Sequence, residues 1–336
     1  MIKHKLGITG GSGYIGSSLA KHFAESFDVK LIDVNEPKEK FQENVSFQKC
    51  DIRNYAEVQN AVTDVDVIIH AAIIQIPAIN ERKKLGYDVN FFGTQNICRA
   101  VDESENAKGL ILSGSWHTIG EKGLSGLINE EFGFRPDKVE DRARLYALSK
   151  MAQESIVRFY DEMSPKVFGI LRMGTVLGQG MPEKTAANIF INNGLAGKSL
   201  TPFKCSMCRP MLYVDLNDIC QAYVEFVNRI LGESMKKDNN SLSHIFNVYY
   251  PEIVTIAELA ELVRSVIFEQ SKEKVRPTIN VVETEQPSGF NKNDKSLIKV
   301  DTTKALKGLG IKKLKSPKES IEEIVKNRIS SQLMCA

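Results

Sequence analysis

Ten residues near the start of the chain, GITGGSGYIG at positions 7–16, set Gly10, Gly13 and Gly16 three apart, directly after one apolar run and directly before an amphipathic one. Glycine lets the chain turn tightly, lets a pyrophosphate come close to the backbone and lets a helix pack closely on a strand. The helix start then offers free N–H groups and its positive dipole end to a phosphate. The same spacing arises in ordinary turns. Here Asp33 closes the next β-branched run, twenty residues beyond Gly13, the offset of a carboxylate that holds a ribose. A carboxylate accepts from a ribose 2′-hydroxyl and repels a 2′-phosphate, and Val34 and Asn35 bring no arginine. The loop therefore predicts a strand–turn–helix opening and a dinucleotide, NAD rather than NADP.

The rest of the chain agrees with that opening. Short apolar runs at 5–8, 29–33, 45–49, 65–72, 109–113 and 166–172 read as strands. Amphipathic stretches at 15–26, 55–62, 91–103, 142–162 and 216–230 read as helices between or after them. Strands apolar throughout, alternating with helices, predict an α/β fold: a doubly wound parallel sheet covered on both faces. After Arg172 the pattern loosens into a loop-rich stretch, 174–209, around one helical segment, then a polar linker at 233–243. A returning strand is expected at 245–248, a helix at 256–268 capped by Thr255, a strand at 278–282, and helices at 303–309 and 317–326. The expected division is a nucleotide-binding domain over 1–175, with 210–250 returning to it. A smaller, discontinuous substrate lobe takes 176–209 and 251–336.

Charge and cysteine usage narrow the class. Lys and Arg number 44 against 42 Asp and Glu, so no basic excess suggests nucleic acid. The longest apolar stretch, 65–79, contains Asp66, His70, Gln75 and Pro77 and falls short of a membrane span. No signal-peptide core precedes the first strand, and six scattered cysteines (Cys50, Cys98, Cys205, Cys208, Cys220 and Cys335) suit a reduced, cytosolic protein. Cys205 and Cys208 have half-site spacing for zinc or redox chemistry, but no second pair accompanies them, so no metal is expected. The Lys-rich stretch 311–318 reads as a solvated helix entrance.

Tyr146 and Lys150 are four apart in a predicted helix and so share a face, while Ser115 follows the fifth strand, at the edge where a parallel sheet presents ligands. An ammonium beside a phenol favours the phenolate, and a serine can hydrogen-bond the same substrate oxygen. Together they suit proton transfer while a nicotinamide takes or gives a hydride.

These motifs, with CDIR at 50–53, HAA at 70–72, NFFGT at 90–94, SGSWHTIG at 113–120, YALSK at 146–150, LRMGTVLGQG at 171–180 and RPMLYVDLND at 209–218, resemble the extended short-chain dehydrogenase/reductases. The resemblance is to their NAD-dependent epimerase/dehydratase group and spans nearly the whole chain, so a Rossmann fold is expected. It implies proton transfer by Tyr146, cofactor-ribose contact by Lys150 and a substrate-hydroxyl contact by Ser115. It also implies cofactor contacts at Gly10, Gly13, Tyr14, Ile15, Gly16 and Asp33, at Asp51 and Ile52 on the adenine side, and at Ala71 and Ala72. Asn90 would order the active-site loop and count among the cofactor contacts. A homodimer through the helices that start near Phe91 and Arg142 is implied as well.

Departures within the motifs bear on the reaction. The family's dehydratases and decarboxylases carry acidic residues just after the catalytic Ser or Thr, where this chain has Trp116 and His117. A cysteine found there in synthases that epimerise beside a ketone is also missing. Arg209 matches the family's diphosphate-binding arginine, whose fork geometry suits that job. Thr175 stands where the UDP-sugar 4-epimerases carry Asn, and Asn291 with Asp294 stands at their C-terminal Arg-containing loop. SGSWHTIG and LRMG also look like stretches of the uronate dehydrogenases. Trp116 suits either sugar stacking or a core position, and His117 either a substrate contact or second proton donor, or a structural role.

The expected function is an NAD-dependent sugar-modifying enzyme, foremost a nucleotide-sugar epimerase working by transient oxidation to a keto-sugar. Ser115, Trp116, His117, Thr175, Arg209 and Asp294 are its candidate substrate contacts. The alternatives are a net sugar dehydrogenase or keto-sugar reductase, or a non-catalytic NAD-sensing protein, against which the Ser–Tyr–Lys set speaks.

Overall fold

Seven strands pair in parallel because their residues are apolar on both faces and helices cover both. In a computed structural model describing residues 3–235 and 240–334, with side chains to 331, they are β1 (Lys5–Thr9), β2 (Asp28–Asp33), β3 (Val45–Lys49), β4 (Val67–His70), β5 (Gly109–Ser115), β6 (Val167–Met173) and β7 (Ile245–Val248). Their order is β7–β6–β5–β4–β1–β2–β3, so the strand order reverses between β1 and β4. A doubly wound sheet opens its ligand crevice at that point. β4, β5, β6 and β7 are buried at every position, whereas edge strand β3 alternates Ser, Phe, Gln and Lys and is half-buried. Neighbouring residues divide between the faces: Ile8, Leu31, Ile69 and Ile111 join one core cluster, Ile32, Ile68, Leu110 and Leu112 the other. Each such fully buried side chain contributes roughly 1.5–3 kcal/mol.

Helices α1 (Tyr14–Phe23), α2 (Tyr55–Val62), α3 (Thr94–Glu103), α4 (Arg144–Met163), α5 (Ala186–Leu195), α6 (Leu216–Leu231), α7 (Ile256–Gln270), α8 (Thr303–Leu309) and α9 (Pro317–Met334) follow in chain order. α1 and α6 lie together on one face of the sheet, and α2, α3 and α4 on the other. A π-helical turn, Asp88–Gly93, leads into α3, so the helix expected from Phe91 begins earlier and wider. Thr255 caps α7 as expected: its hydroxyl accepts from Glu258 N at 3.2 Å, and Glu258 returns a carboxylate to Thr255 N at 2.8 Å.

α5 and α9 both pack against α7. The strand expected at 278–282 is reduced to two isolated bridges, Leu200 to Ile279 and Phe203 to Val282. Part of the C-terminal stretch comes back to the larger body: Ile298–Val300 pairs with Gly126–Ile128, and α8 packs on β7. The polar linker at 233–243 lies partly, and Cys335 wholly, outside the described residues. Among the described residues, no helix is long and apolar enough to cross a membrane.

Candidate active site

The glycine loop adopts the turn its sequence calls for. Gly10 has φ +67° and donates to Ile32 O at 2.9 Å, and Gly13 N closes back on Gly10 O at 3.0 Å. A Cβ on Gly10 would sit 2.7 Å from Ala72 N, and one on Gly16 only 2.3 Å from Gly10 O. Side chains there would fill the approach, as a backbone that must lie close to a pyrophosphate requires. α1 starts at Tyr14 with no side-chain cap and no acid in its first turn, leaving its N–H groups free for an anion.

That loop forms one wall of a cleft of about 1140 Å³ at the β1/β4 switch point. Gly10, Gly13, Tyr14, Ile15, Gly16, Asp33, Asp51, Ile52, Ala71, Ala72, Tyr146 and Lys150 all line it. Asp33 takes Ser12 N at 3.2 Å and Asn35 N at 3.0 Å, which fix its carboxylate at the end of β2. Asp51 is gripped by Arg53 through Nε at 2.9 and 3.0 Å, so that guanidinium is already committed to a carboxylate. The residues present fit a dinucleotide such as NAD. Sequence reasoning missed several cleft residues, among them Gln75, Arg82, Leu85, Val89 and Pro182, which come from loops and short helical stretches with too little periodicity to read.

Asn90 is fully buried behind the cleft, not in it. It bonds Ile74 N at 2.8 Å, Ile74 O at 3.1 Å and Ser149 Oγ at 3.0 Å, tying the loop after β4 to α4. This is the loop-ordering position its motif implies, and a direct cofactor contact is replaced by second-hand positioning.

Ser115 lies outside the cleft lining to which Tyr146 and Lys150 belong. It stands near enough to the Tyr146 hydroxyl to favour its ionised form, and Lys150 Nζ donates to Ser113 O at 2.7 Å. Burial pushes the Lys150 ammonium down to about 7. Burial also raises Tyr146, with Ser115 opposing it. His117 stacks edge-on to Tyr146 with ring centres 5.6 Å apart, and its Nδ1 lies 3.3 Å from Ser115 Oγ.

Other expected substrate contacts are placed differently. Trp116 is 1% exposed and donates Nε1–H to Thr175 Oγ1 at 3.2 Å, so its ring belongs to the core and is not open for sugar stacking. Thr175 is correspondingly occupied by Trp116. Asp294 accepts from Asn291 N at 2.9 Å in a one-turn helix of the C-terminal stretch and does not line the cleft. Arg209 is buried and ion-paired with Glu140, which also takes Arg142 Nε at 2.9 Å, while Arg209 Nε has no partner. Glu140 and Glu121, beside His117, had no sequence signal, since their segment joins the site only through tertiary folding. Cys205 and Cys208 are free and half-buried just before Arg209.

The family model described as NAD dependent epimerase/dehydratase family matches residues 6–238. The chain belongs to that family. A UDP-glucose 4-epimerase of Rickettsia bellii is 27% identical over 263 residues, covering 71% of this chain and 70% of the relative. Among solved structures, MoeE5 in complex with UDP-glucuronic acid and NAD superposes with a TM-score of 0.77 at 16% identity, over 97% of this chain and 99% of the other. The UDP-glucose 4-epimerase of Thermus thermophilus with NAD gives 0.75 at 20% identity, over 96% and 99%. Those two likenesses establish the fold.

Proposed function

We propose that the chain is an NAD-dependent nucleotide-sugar epimerase, acting through a transient keto-sugar. The observation that carries the reading is that Tyr146 and Lys150, with Ser115 by the tyrosine, line the same cleft as the glycine loop and Asp33. Bound NAD supplies a two-electron acceptor for the hydrogen on the substrate carbon. Tyr146 takes the hydroxyl proton, Ser115 orients that oxygen, and Lys150, held by Ser113 O, positions the cofactor ribose. Arg209 supports a diphosphate handle about which a sugar turns to receive the hydrogen on its other face. Curated relatives bearing the name UDP-glucose 4-epimerase, matched over 71% of this chain, support the same choice.

The reading includes a homodimer. Leu148, Phe159 and Met163 are exposed on α4, within about 60° of one another around the helix, and Phe92 is exposed at the entrance to α3. It also includes a reduced, cytosolic setting, for which the five described cysteines are free thiols.

The deciding experiment incubates the protein with NAD and UDP-, GDP- and dTDP-sugars beside free uronates and aldoses. An epimer formed without net NADH, and lost in Tyr146→Phe, is the expected result. Steady NADH from a free sugar with no epimer from any nucleotide sugar would replace this reading with a net dehydrogenase.

A further inference from the structure

Behind His117, which packs edge-on to Tyr146, lies a carboxylate that nothing in the reaction so far employs. Glu121 is 1% exposed. Its Oε2 accepts from Glu140 N at 3.3 Å, while Oε1 has no hydrogen-bond partner and lies 3.5 Å from His117 Nε2. A buried carboxylate oxygen left unsatisfied costs about 1–3 kcal/mol or more. His117 completes a line of polar groups: its other nitrogen lies 3.3 Å from Ser115 Oγ, Ser115 stands by the Tyr146 hydroxyl, and the His117 ring packs edge-on to the phenol at 5.6 Å. Four side chains thus connect the substrate end of the cleft to one enclosed oxygen.

We propose that Glu121 is the terminal proton acceptor of the site, reached from Tyr146 through Ser115 and His117. The substrate hydroxyl gives its proton to the Tyr146 oxygen as the tyrosine passes its own to Ser115 Oγ. Ser115 passes its proton to His117 Nδ1, and the proton on His117 Nε2 moves to Glu121 Oε1. The C–H hydrogen leaves with its electron pair to the two-electron acceptor, so the carbonyl forms while one carboxylate becomes one carboxylic acid. Tyr146 and His117 end neutral, as they began, and only Glu121 has changed its charge.

The surroundings favour that destination. Burial raises the Glu121 carboxyl and Glu140 raises it further, with backbone hydrogen bonds and Arg209 opposing, so the carboxylate there is a stronger base than one in water. Burial, with Arg209 and Arg142, pulls His117 down to about 3, which makes it a poor place to store a proton but leaves a neutral ring able to exchange one tautomer for the other. Burial likewise disfavours a Tyr146 phenolate, which the relay avoids forming. Reversing the line returns the proton when the keto-sugar is reduced.

The inference rests on Tyr146 being the proton-transfer group, and the experiment separates the two claims. Glu121→Gln keeps the volume and removes the acceptor; His117→Asn breaks the line with Glu121 intact. Each is expected to lower kcat at least ~10-fold with KM within about twofold, and the double variant should be no worse than the poorer single, as for residues in one relay. Infrared difference spectra of the protein without cofactor, taken across a pH series, should show a carboxylic-acid carbonyl band that disappears in Glu121→Gln. Near-parental kcat in either single variant, multiplicative loss in the double, or a band unchanged by Glu121→Gln would overturn the relay. Parental turnover in Tyr146→Phe would instead overturn the reading beneath it.

Discussion

Glutamine in place of Glu140 should make the protein bind UDP more tightly. Arg209 is the candidate grip for a diphosphate, yet its Nη1 is already paired with Glu140, and both side chains are largely enclosed, 8% and 13% exposed. A diphosphate entering there meets a carboxylate of its own sign and must share or replace its partner. Two unit charges about 4 Å apart interact by ~4 kcal/mol at an effective dielectric near 20. Reorganisation and the second cation at Arg142 absorb part of this, leaving roughly 1.4–2.8 kcal/mol, or about 10- to 100-fold in Kd. Gln keeps the side-chain volume, and the backbone N–H that Glu140 gives to Glu121 is untouched. Calorimetric titration of UDP into the parent, Glu140→Gln and Arg209→Met proteins measures this without any turnover. Arg209→Met should weaken binding. UDP affinity in Glu140→Gln equal to or below the parent's would show that Glu140 does not compete for the arginine.

Four further outcomes are expected. Gly10→Ala should weaken NAD by at least ~10-fold in a fluorescence titration, because a Cβ at φ +67° meets Ala72 backbone at 2.7 Å and the loop must move. NAD should bind at least ~10-fold more tightly than NADP, and Asp33→Ala should narrow the gap by improving NADP, as read by calorimetry with both cofactors. Arg172→Met should cost about 3–5 kcal/mol in urea unfolding, since it strands a 1%-exposed Glu154 that Arg172 holds through Nε at 3.0 and 3.2 Å and Nη2 at 2.6 Å; adding Glu154→Leu should recover most of the loss. His70 is held at about 3 by burial first and Lys150 second, so the folded state binds fewer protons than the unfolded one between about 3 and 6.5. Its contribution is full above pH 6.5 and falls by about 1.4 kcal/mol per unit on acidification, a slope that should shrink by that amount in His70→Asn on comparing urea unfolding at pH 7, 6 and 5.

Strands such as VIIH and GLILSGS were legible because a sheet covered on both faces admits few polar residues, and the following helices because their apolar positions recur at helical spacing. Tyr146 and Lys150 were legible for the same reason: four residues along a helix is one face, whatever surrounds it. Trp116 was not. Its place next to Ser115 suggested the substrate, but residues that follow one another across a strand end point in different directions, and the indole turned inward to Thr175. Glu121 and Glu140 carry no local pattern, since loop carboxylates ordinarily face water, and only the fold of the 116–143 segment encloses them. The return of Ile298–Leu309 to the larger body was equally hidden, because a three-residue pairing leaves too short a period to read.

A single buried chain of hydrogen bonds explains why the cofactor loop and the catalytic helix hold a common geometry. Thr94 Oγ1 gives its one proton to Asn90 O at 2.8 Å, so it must accept from His70 Nε2 at 2.9 Å and from Gln153 Nε2 at 2.9 Å. That assigns the His70 proton to Nε2 and leaves Nδ1 as an acceptor for the Thr9 hydroxyl at 2.7 Å. Thr9 ends β1 at the mouth of the glycine loop, while Asn90 continues to Ser149, whose hydroxyl donates to Tyr146 O at 2.8 Å. Every member is buried, so breaking one link strands its neighbour at about 1–3 kcal/mol, more than the ~1 kcal/mol such a bond contributes when intact. A charged His70 would turn an acceptor into a donor facing Thr9, which is why burial and Lys150 together hold it neutral. The scaffold therefore fixes where Tyr146 stands relative to the glycine loop. Against that fixed phenol the 116–143 segment lays His117, with Glu121 behind it and Glu140 paired to Arg209.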